Sequence, residues 1–249
     1  MSVINNKPLV LIGENASNDI INELINQNLD VIILPSDNRL ASPVSSHADM
    51  LLFVLDNIIF CNEAYYENNK PIFNKIKEYG YKINQLEFEV SDKYPNDVAL
   101  NQAVLNKNIF GFKNSCAKSI LEYADSNGYT YHSIKQGYAK CSTLILGDKA
   151  IISADTGIIT LAEKLGVNSL KIKNTPEDIT LDGYNYGFIG GASTTFEKTV
   201  FFFGDITLHS YGDKITSFCH DNGFKTVSLG KNPLCDIGGA IILPYINVQ

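Results

Sequence analysis

The chain repeats itself, and that repetition limits its fold more than any other feature. Similar stretches begin at His47-Ala48-Asp49-Met50, Pro95-Asn96-Asp97-Val98, Gly137-Tyr138-Ala139-Lys140-Cys141, Ile189-Gly190-Gly191-Ala192 and Ile237-Gly238-Gly239-Ala240. They recur roughly every 45 residues, a period that belongs to solenoids, propellers and arrays. The first four are each followed by an apolar strand, a tight turn and a second strand. The last is followed by a single strand, at 240–243, before the sequence ends. Its missing partner is the apolar run at 8–12, and pairing the two would remove the exposed sheet edges that an open repeat leaves.

Between the hairpins, apolar residues return at helical spacing, as in Ile20, Ile21, Leu24 and Ile25, and again in Ile72, Phe73, Ile76 and Tyr79. The predicted helices cover 15–28, a span around 72–79, 115–126, 156–165 and 207–222, and a further strand follows each, at 31–34, 83–90, 129–134, 169–173 and 226–229. The hairpins turn at Asp56-Asn57, Asn106-Lys107 and Gly147-Asp148, residue types that accept turn geometry. In the second unit the first strand is expected at 98–104. The expected fold is an α/β ring, a five-bladed propeller of ββαβ units closed by the N- and C-terminal strands and forming one domain over 1–249. An open doubly wound sheet fits less well. It has one strand where each unit here has two, and no GxGxxG follows the first strand.

Composition narrows the function. With 45% hydrophobic residues a core is available, no apolar run approaches the ~20 residues that cross a bilayer, and the start Met1 to Lys7 has no signal-peptide profile. A cytoplasmic protein that spans no membrane is expected. A net charge of −7 argues against general affinity for nucleic acid, which depends on Lys and Arg. The five cysteines, at 61, 116, 141, 219 and 235, form no CxxC pair and read as free thiols. No ligand spacing for a metal is recognisable, and neither a metal nor another cofactor is expected.

In a closed ring the five starts meet near the mouth of the central channel. They bring His47 and Asp49, Asn96 and Asp97, Lys140 and Cys141, residues 190–193 including Ser193, and Cys235 with Asp236 to one region. A thiol beside an imidazole and carboxylates makes a nucleophilic site, because the thiolate is the reactive species and the imidazole can take its proton. The Gly190-Gly191 and Gly238-Gly239 pairs read as close backbone approaches. Asp155 and Asp205 read as helix caps, and His209 and His220 as solvent-facing residues of the last helix.

These motifs resemble those of the pentein superfamily, which includes arginine deiminases, dimethylargininases, agmatine deiminases and amidinotransferases. Its cysteine motif, GGxRC or GGxHC followed by xT and an apolar strand, is similar to Gly137-Tyr138-Ala139-Lys140-Cys141-Ser142-Thr143-Leu144. Its HxD motif is similar to His47-Ala48-Asp49, two units before the cysteine. Its EGGD motif has its counterpart one unit after, at Ile189-Gly190-Gly191-Ala192, without the carboxylates. The chain thus looks like a pentein opened at a different unit.

The resemblance implies a cysteine hydrolase or transferase acting on a guanidine or amidine C–N bond, with a small cationic ligand. Cys141 would attack the planar carbon, His47 would serve as acid and base, and Asp49 would hold guanidinium nitrogens. Asp236 and Asp97 are candidates to replace the lost carboxylate, and Lys140, Asn96 and Ser193 are further candidates for substrate contact. Some penteins act by binding alone, including the factor that keeps large ribosomal subunits from joining small ones. Tyr94-Pro95-Asn96-Asp97-Val98-Ala99-Leu100 is similar to its repeats, so a small-ligand or protein binder is the alternative. The oligomeric state is open.

Overall fold

The computed structural model describes residues 7–246, so the stretch 1–6 that bears on the signal-peptide reading lies outside them. In chain order the strands are β1 Leu9–Gly13, β2 Asp30–Leu34, β3 Leu52–Leu55, β4 Ile58–Asn62, β5 Lys82–Leu86, β6 Ala103–Leu105, β7 Asn108–Gly111, β8 Thr130–Ser133 and β9 Thr143–Leu146. They continue with β10 Ala150–Ser153, β11 Asn168–Lys171, β12 Ile179–Thr180, β13 Ser193–Phe196, β14 Thr199–Phe202, β15 Lys225–Ser228, β16 Leu234–Cys235 and β17 Ala240–Leu243. The helices are α1 Asn18–Asn26, α2 Ala48–Leu51, α3 Glu63–Asn68, α4 Lys70–Glu78, α5 Lys118–Ser126, α6 Thr156–Lys164 and α7 Gly212–Asp221. The expected α/β class is what these elements form.

The strands assemble into five three-stranded sheets, ordered β17-β1-β2, β3-β4-β5, β6-β7-β8, β9-β10-β11 and β13-β14-β15. In each, the central strand is antiparallel to its inner neighbour and parallel to its outer one. The N-terminal strand β1 pairs with the C-terminal β17 from Leu9↔Leu243 to Ile12↔Ala240. The first residue of each of the four contiguous hairpin turns, Asp56, Asn106, Gly147 and Glu197, has positive φ. Asp, Asn and Gly tolerate that conformation, and their recurrence fixes the register of the repeat.

The central strands read as unbroken apolar runs, LVLIG, IIFCN, NIFG, AIIS and TVFF. The reason is burial on both faces. Successive side chains of a strand point to opposite sides, and here they enter different hydrophobic clusters. Leu9 and Leu11 join Ile59 and Cys61, whereas Val10 and Ile12 join Phe201. Phe60 packs with Ile109, Phe110 with Ile151, and Ile152 with Val200 and Phe202. Each cluster is therefore shared by two successive sheets, and the last sheet packs on the first. Burying one Leu or Phe side chain in this way contributes about 1.5–3 kcal/mol.

Several boundaries differ from expectation. The second unit's first strand begins at Ala103, and residues 98–102 are a buried turn because Asn101 uses its side chain to bind neighbouring backbone. The last predicted helix breaks into a 3-10 turn, Ile206–Leu208, and α7. His209 falls in the gap, buried against Asp178, so its expected exposure is corrected, while His220 is exposed. Asp178 accepts from the Ser210 amide and hydroxyl, tying the long segment after β11 to this gap. That segment also contains β12, which pairs in parallel with β16. Asp155 and Asp205 cap helices as expected.

Candidate active site

The inner strands β3, β6, β9, β13 and β17 all line one cavity of about 400 Å³. A second cavity, of about 230 Å³, is bounded by His47, Cys141, Asp236, Met50, Val44, Leu181 and a set of aromatic residues. Asp49 lines the first and Cys141 the second, and the two side chains meet between them: the Cys141 thiol donates to Asp49 Oδ2 at 2.9 Å.

Each side chain is held by the end of a repeat unit. His47 precedes the single turn α2, and its ring lies against Gly238, where an added Cβ would come within 2.2 Å of the His47 Cβ. Gly238 also has φ +76, a conformation that favours glycine. Asp236 follows β16 and receives the Phe188 amide at 2.8 Å and the Gly238 amide at 3.0 Å. A Cβ on Gly191 would sit 1.9 Å from the Asp236 Oδ1. Both glycine pairs are thus close approaches, as expected, and their spare volume is filled by the site's own His and Asp.

Asn101, fully buried, is the residue that sequence reasoning missed. Its Oδ1 accepts from the Lys140 and Cys141 amides at 2.8 and 3.2 Å, and its Nδ2 donates to the Asp49 carbonyl at 3.3 Å and approaches Cys141 Sγ at 3.1 Å. One side chain thereby clamps the HxD turn to the cysteine turn. A signal existed: counted back from the positive-φ turn residues, Asn101 before Asn106 is in register with Ser142 before Gly147, one step from Cys141.

One ligand atom each from His47, Asp49 and Cys141 lies within 4.8 Å of the others, a set that could also hold a metal ion. The His47 Nδ1 is 3.9 Å from Asp236 Oδ1, and neither imidazole nitrogen has a hydrogen-bond partner among the described residues. Asp49 Oδ1 is unpartnered too. Burial raises the Asp49 carboxyl to about 7, against the pull of Lys140 and the Cys141 bond. Burial likewise raises Asp236 to about 6 and lowers His47 to about 3. Burial, then Asp49 and Asp236, push the Cys141 thiol well above its ordinary range. The resting site is a neutral imidazole, a protonated thiol and carboxyls that ionise with difficulty, which favours a cation entering from outside.

These shifts set a pH dependence for stability. An acid whose folded pKa is raised favours folding most below its unfolded value and loses that contribution as pH rises through the folded one. Asp49→Asn is therefore expected to gain stability relative to the parent chain as pH rises from 3.8 to about 7 and to level off above. Paired thermal melts across that range check it, and a pH-independent difference would contradict it.

The other expected contacts divide. Asp236 lines the Cys141 cavity. Asp97 stands one step back, accepting from the hydroxyl of Tyr138, a cavity wall. Lys140, Ser193 and Asn96 lie outside it. Lys140 lines the larger cavity, and its ammonium donates to the Gly190 carbonyl at 3.2 Å. Ser193 lines the same cavity, its hydroxyl engaged by Ile189 O. Asn96 is half-buried in the turn before Asp97 and lines neither cavity.

A family model described as a family of unknown function (DUF6873) matches residues 11–241. No curated protein matches the sequence. Among solved structures, the amidinotransferase SxtG of Microseira wollei, from the saxitoxin biosynthetic pathway, superposes with a TM-score of 0.62 at 12% identity, covering 96% of this chain and 95% of that one. A mutant of the Pseudomonas aeruginosa dimethylarginine dimethylaminohydrolase, complexed with citrulline, gives 0.56 at 10% identity, covering 94% and 98%. C. jejuni agmatine deiminase gives 0.56 at 6% identity, covering 98% and 95%. These proteins are penteins, and the likeness at such low identity is one of fold. The fold of this chain is thus the one that the resemblance implied, in a divergent sequence.

Proposed function

We propose that this chain, which belongs to the family of unknown function DUF6873, cleaves or transfers at a guanidine or amidine C–N bond through Cys141. The observation that carries the reading is the meeting of Cys141, His47 and Asp49 at a cavity wall, with Asp236 beside them. A planar cation in the cavity would face Cys141 and Asp236, with Asp49 behind. The activities of the structural neighbours, an amidinotransferase, a dimethylaminohydrolase and a deiminase, support the same reaction class.

The chemistry follows from the resting charges. A bound guanidinium adds positive charge beside the thiol, lowers the cost of forming thiolate, and presents its carbon to Cys141 Sγ. His47, neutral with both nitrogens free, takes the thiol proton. The S–C bond forms, His47 returns the proton to the leaving amine, and the C–N bond breaks, leaving an amidino group on sulfur. Water or an acceptor amine, deprotonated by His47, then attacks that carbon, and the C–S bond breaks with the electron pair returning to sulfur. Asp236 takes the part of the carboxylate absent at Ala192.

On this reading the five sheets are the blades of one closed ring and one domain, 1–249, with the site at one mouth of its channel. The cysteines, all unpaired, suit a reducing, cytoplasmic setting. The open cavity at Cys141 favours an enzyme over a scaffold that only binds. Incubation with alkylguanidines, with and without an acceptor amine, tests the proposal. Release of the amine with formation of a ureido or a transferred amidino product is expected, and no product from any guanidine or amidine would overturn it.

A further inference from the structure

Beyond the reacting groups, the Cys141 cavity is walled by four aromatic rings, Tyr138, Tyr184, Tyr186 and Phe188, together with Asn185. No Lys or Arg is among its lining residues, and its one acid is Asp236. The rings continue outward as a chain: Tyr186 meets Phe188 edge to face at 5.9 Å, Phe188 stacks on Tyr138 at 6.2 Å, and Tyr138 lies 6.1 Å from Tyr94. Tyr184 is 46% exposed and Tyr186 40%, although both are large and half apolar. Behind the rings stands Asp97, 7% exposed, bonded to the Tyr138 hydroxyl through Oδ2 and unpartnered at Oδ1. Burial, and after it the nearness of Asp97, pushes the Tyr184 hydroxyl upward.

We infer that this ring-lined mouth holds the far end of the substrate and selects a second cation there: the substrate class is a guanidine or amidine bearing a distal amine and no carboxylate. The inference rests on the reaction assigned to Cys141 and names its substrate. A carboxylate at the mouth would meet π faces, whose charge is negative, and the acids Asp97 and Asp236, with no Lys or Arg among the lining residues to pair with. An ammonium is attracted to each ring face, and the buried charge of Asp97 adds to that attraction. An uncharged alkyl tail gains the rings' apolar area alone.

The test compares ω-aminoalkylguanidines, alkylguanidines and ω-guanidinoalkanoates of matched chain length. Calorimetric binding to Cys141→Ser, in which the attacking thiol is gone, reads the preference independently of turnover. The aminoalkyl compound is expected to bind at least about tenfold tighter than the alkyl one, with the carboxylate weakest. Tyr184→Ala and Asp97→Asn are each expected to narrow the aminoalkyl-to-alkyl ratio by about threefold or more, the first at a half-exposed side chain whose loss the fold tolerates. Equal binding of the aminoalkyl and alkyl compounds, or tightest binding of the carboxylate, overturns the inference. Retention of the charge preference without turnover of any compound by the parent chain overturns the reaction instead.

Discussion

Cys141→Ser is expected to lower turnover of any guanidine or amidine substrate at least about a thousandfold while leaving the fold intact. Serine keeps the shape, can donate to Asp49 and can receive Asn101, so the network around position 141 survives. What it loses is the nucleophile, because a hydroxyl beside a neutral imidazole and two carboxyls has no means of ionising in a site that already resists thiolate. Steady-state rates with purified parent and variant, alongside thermal melts, measure it. Rates within tenfold of the parent's would mean that the reaction does not pass through this sulfur.

Asn101→Ala is expected to be the most damaging substitution for stability near the site. It leaves the Lys140 and Cys141 amides without their acceptor in a fully buried place and frees the Asp49 turn from the cysteine turn. Unpaired buried groups cost about 1–3 kcal/mol each, so a loss of about 2–5 kcal/mol is expected. That corresponds to roughly 5–15 °C in melting temperature for a chain of this size. Asn101→Asp separates the clamp's two halves. Its oxygen still accepts from both amides, but the second oxygen faces the Asp49 carbonyl and the sulfur where an amide donated. It is expected to recover stability over the alanine variant without recovering activity. A melting temperature for Asn101→Ala within about 1 °C of the parent's, well under the smallest shift expected, would show that the clamp contributes nothing.

Much of this arrangement was legible in the sequence because the repeat leaves a physical trace at each level. A central strand buried on both faces must be apolar along its middle, which is why Leu9–Gly13, Ala150–Ser153 and their counterparts stand out, with polar residues only at their ends. Residue types that accept positive φ mark three of the four contiguous hairpins, Asp56, Asn106 and Gly147, while Glu197 at the fourth does not announce itself. Counting between units then brought His47 to Cys141 across ninety-odd positions of chain.

What was not legible depended on direction and on partners distant in sequence. Lys140 adjoins Cys141, but both sit in the turn that precedes β9, and spacing alone does not say which way a side chain leaves a turn: Lys140 lines the larger cavity and Cys141 the smaller. Asn101 looks like a turn residue until Asp49 and Cys141 are seen on either side of it. Asp236 is turned inward by the pairing of β12 with β16 and by the Phe188 and Gly238 amides. A two-residue strand inside a long loop carries no periodicity from which to predict it. Spacing alone also gave Asn96 the same standing as Asp97, although only Asp97 reaches a wall of the cavity.

The central claim is that a cation, and only a cation, wakes the sulfur of Cys141. It is tested most directly by labelling the intact protein with a haloacetamidine and with its neutral isostere, a haloacetamide, and following mass and modified peptide over time. The cationic reagent is predicted to add once, at Cys141, and faster than the neutral one relative to their rates with a free thiol. Alkylguanidines are predicted to protect. Preferential labelling by the neutral reagent, or modification of the partly buried Cys235 with Cys141 untouched, would contradict the account.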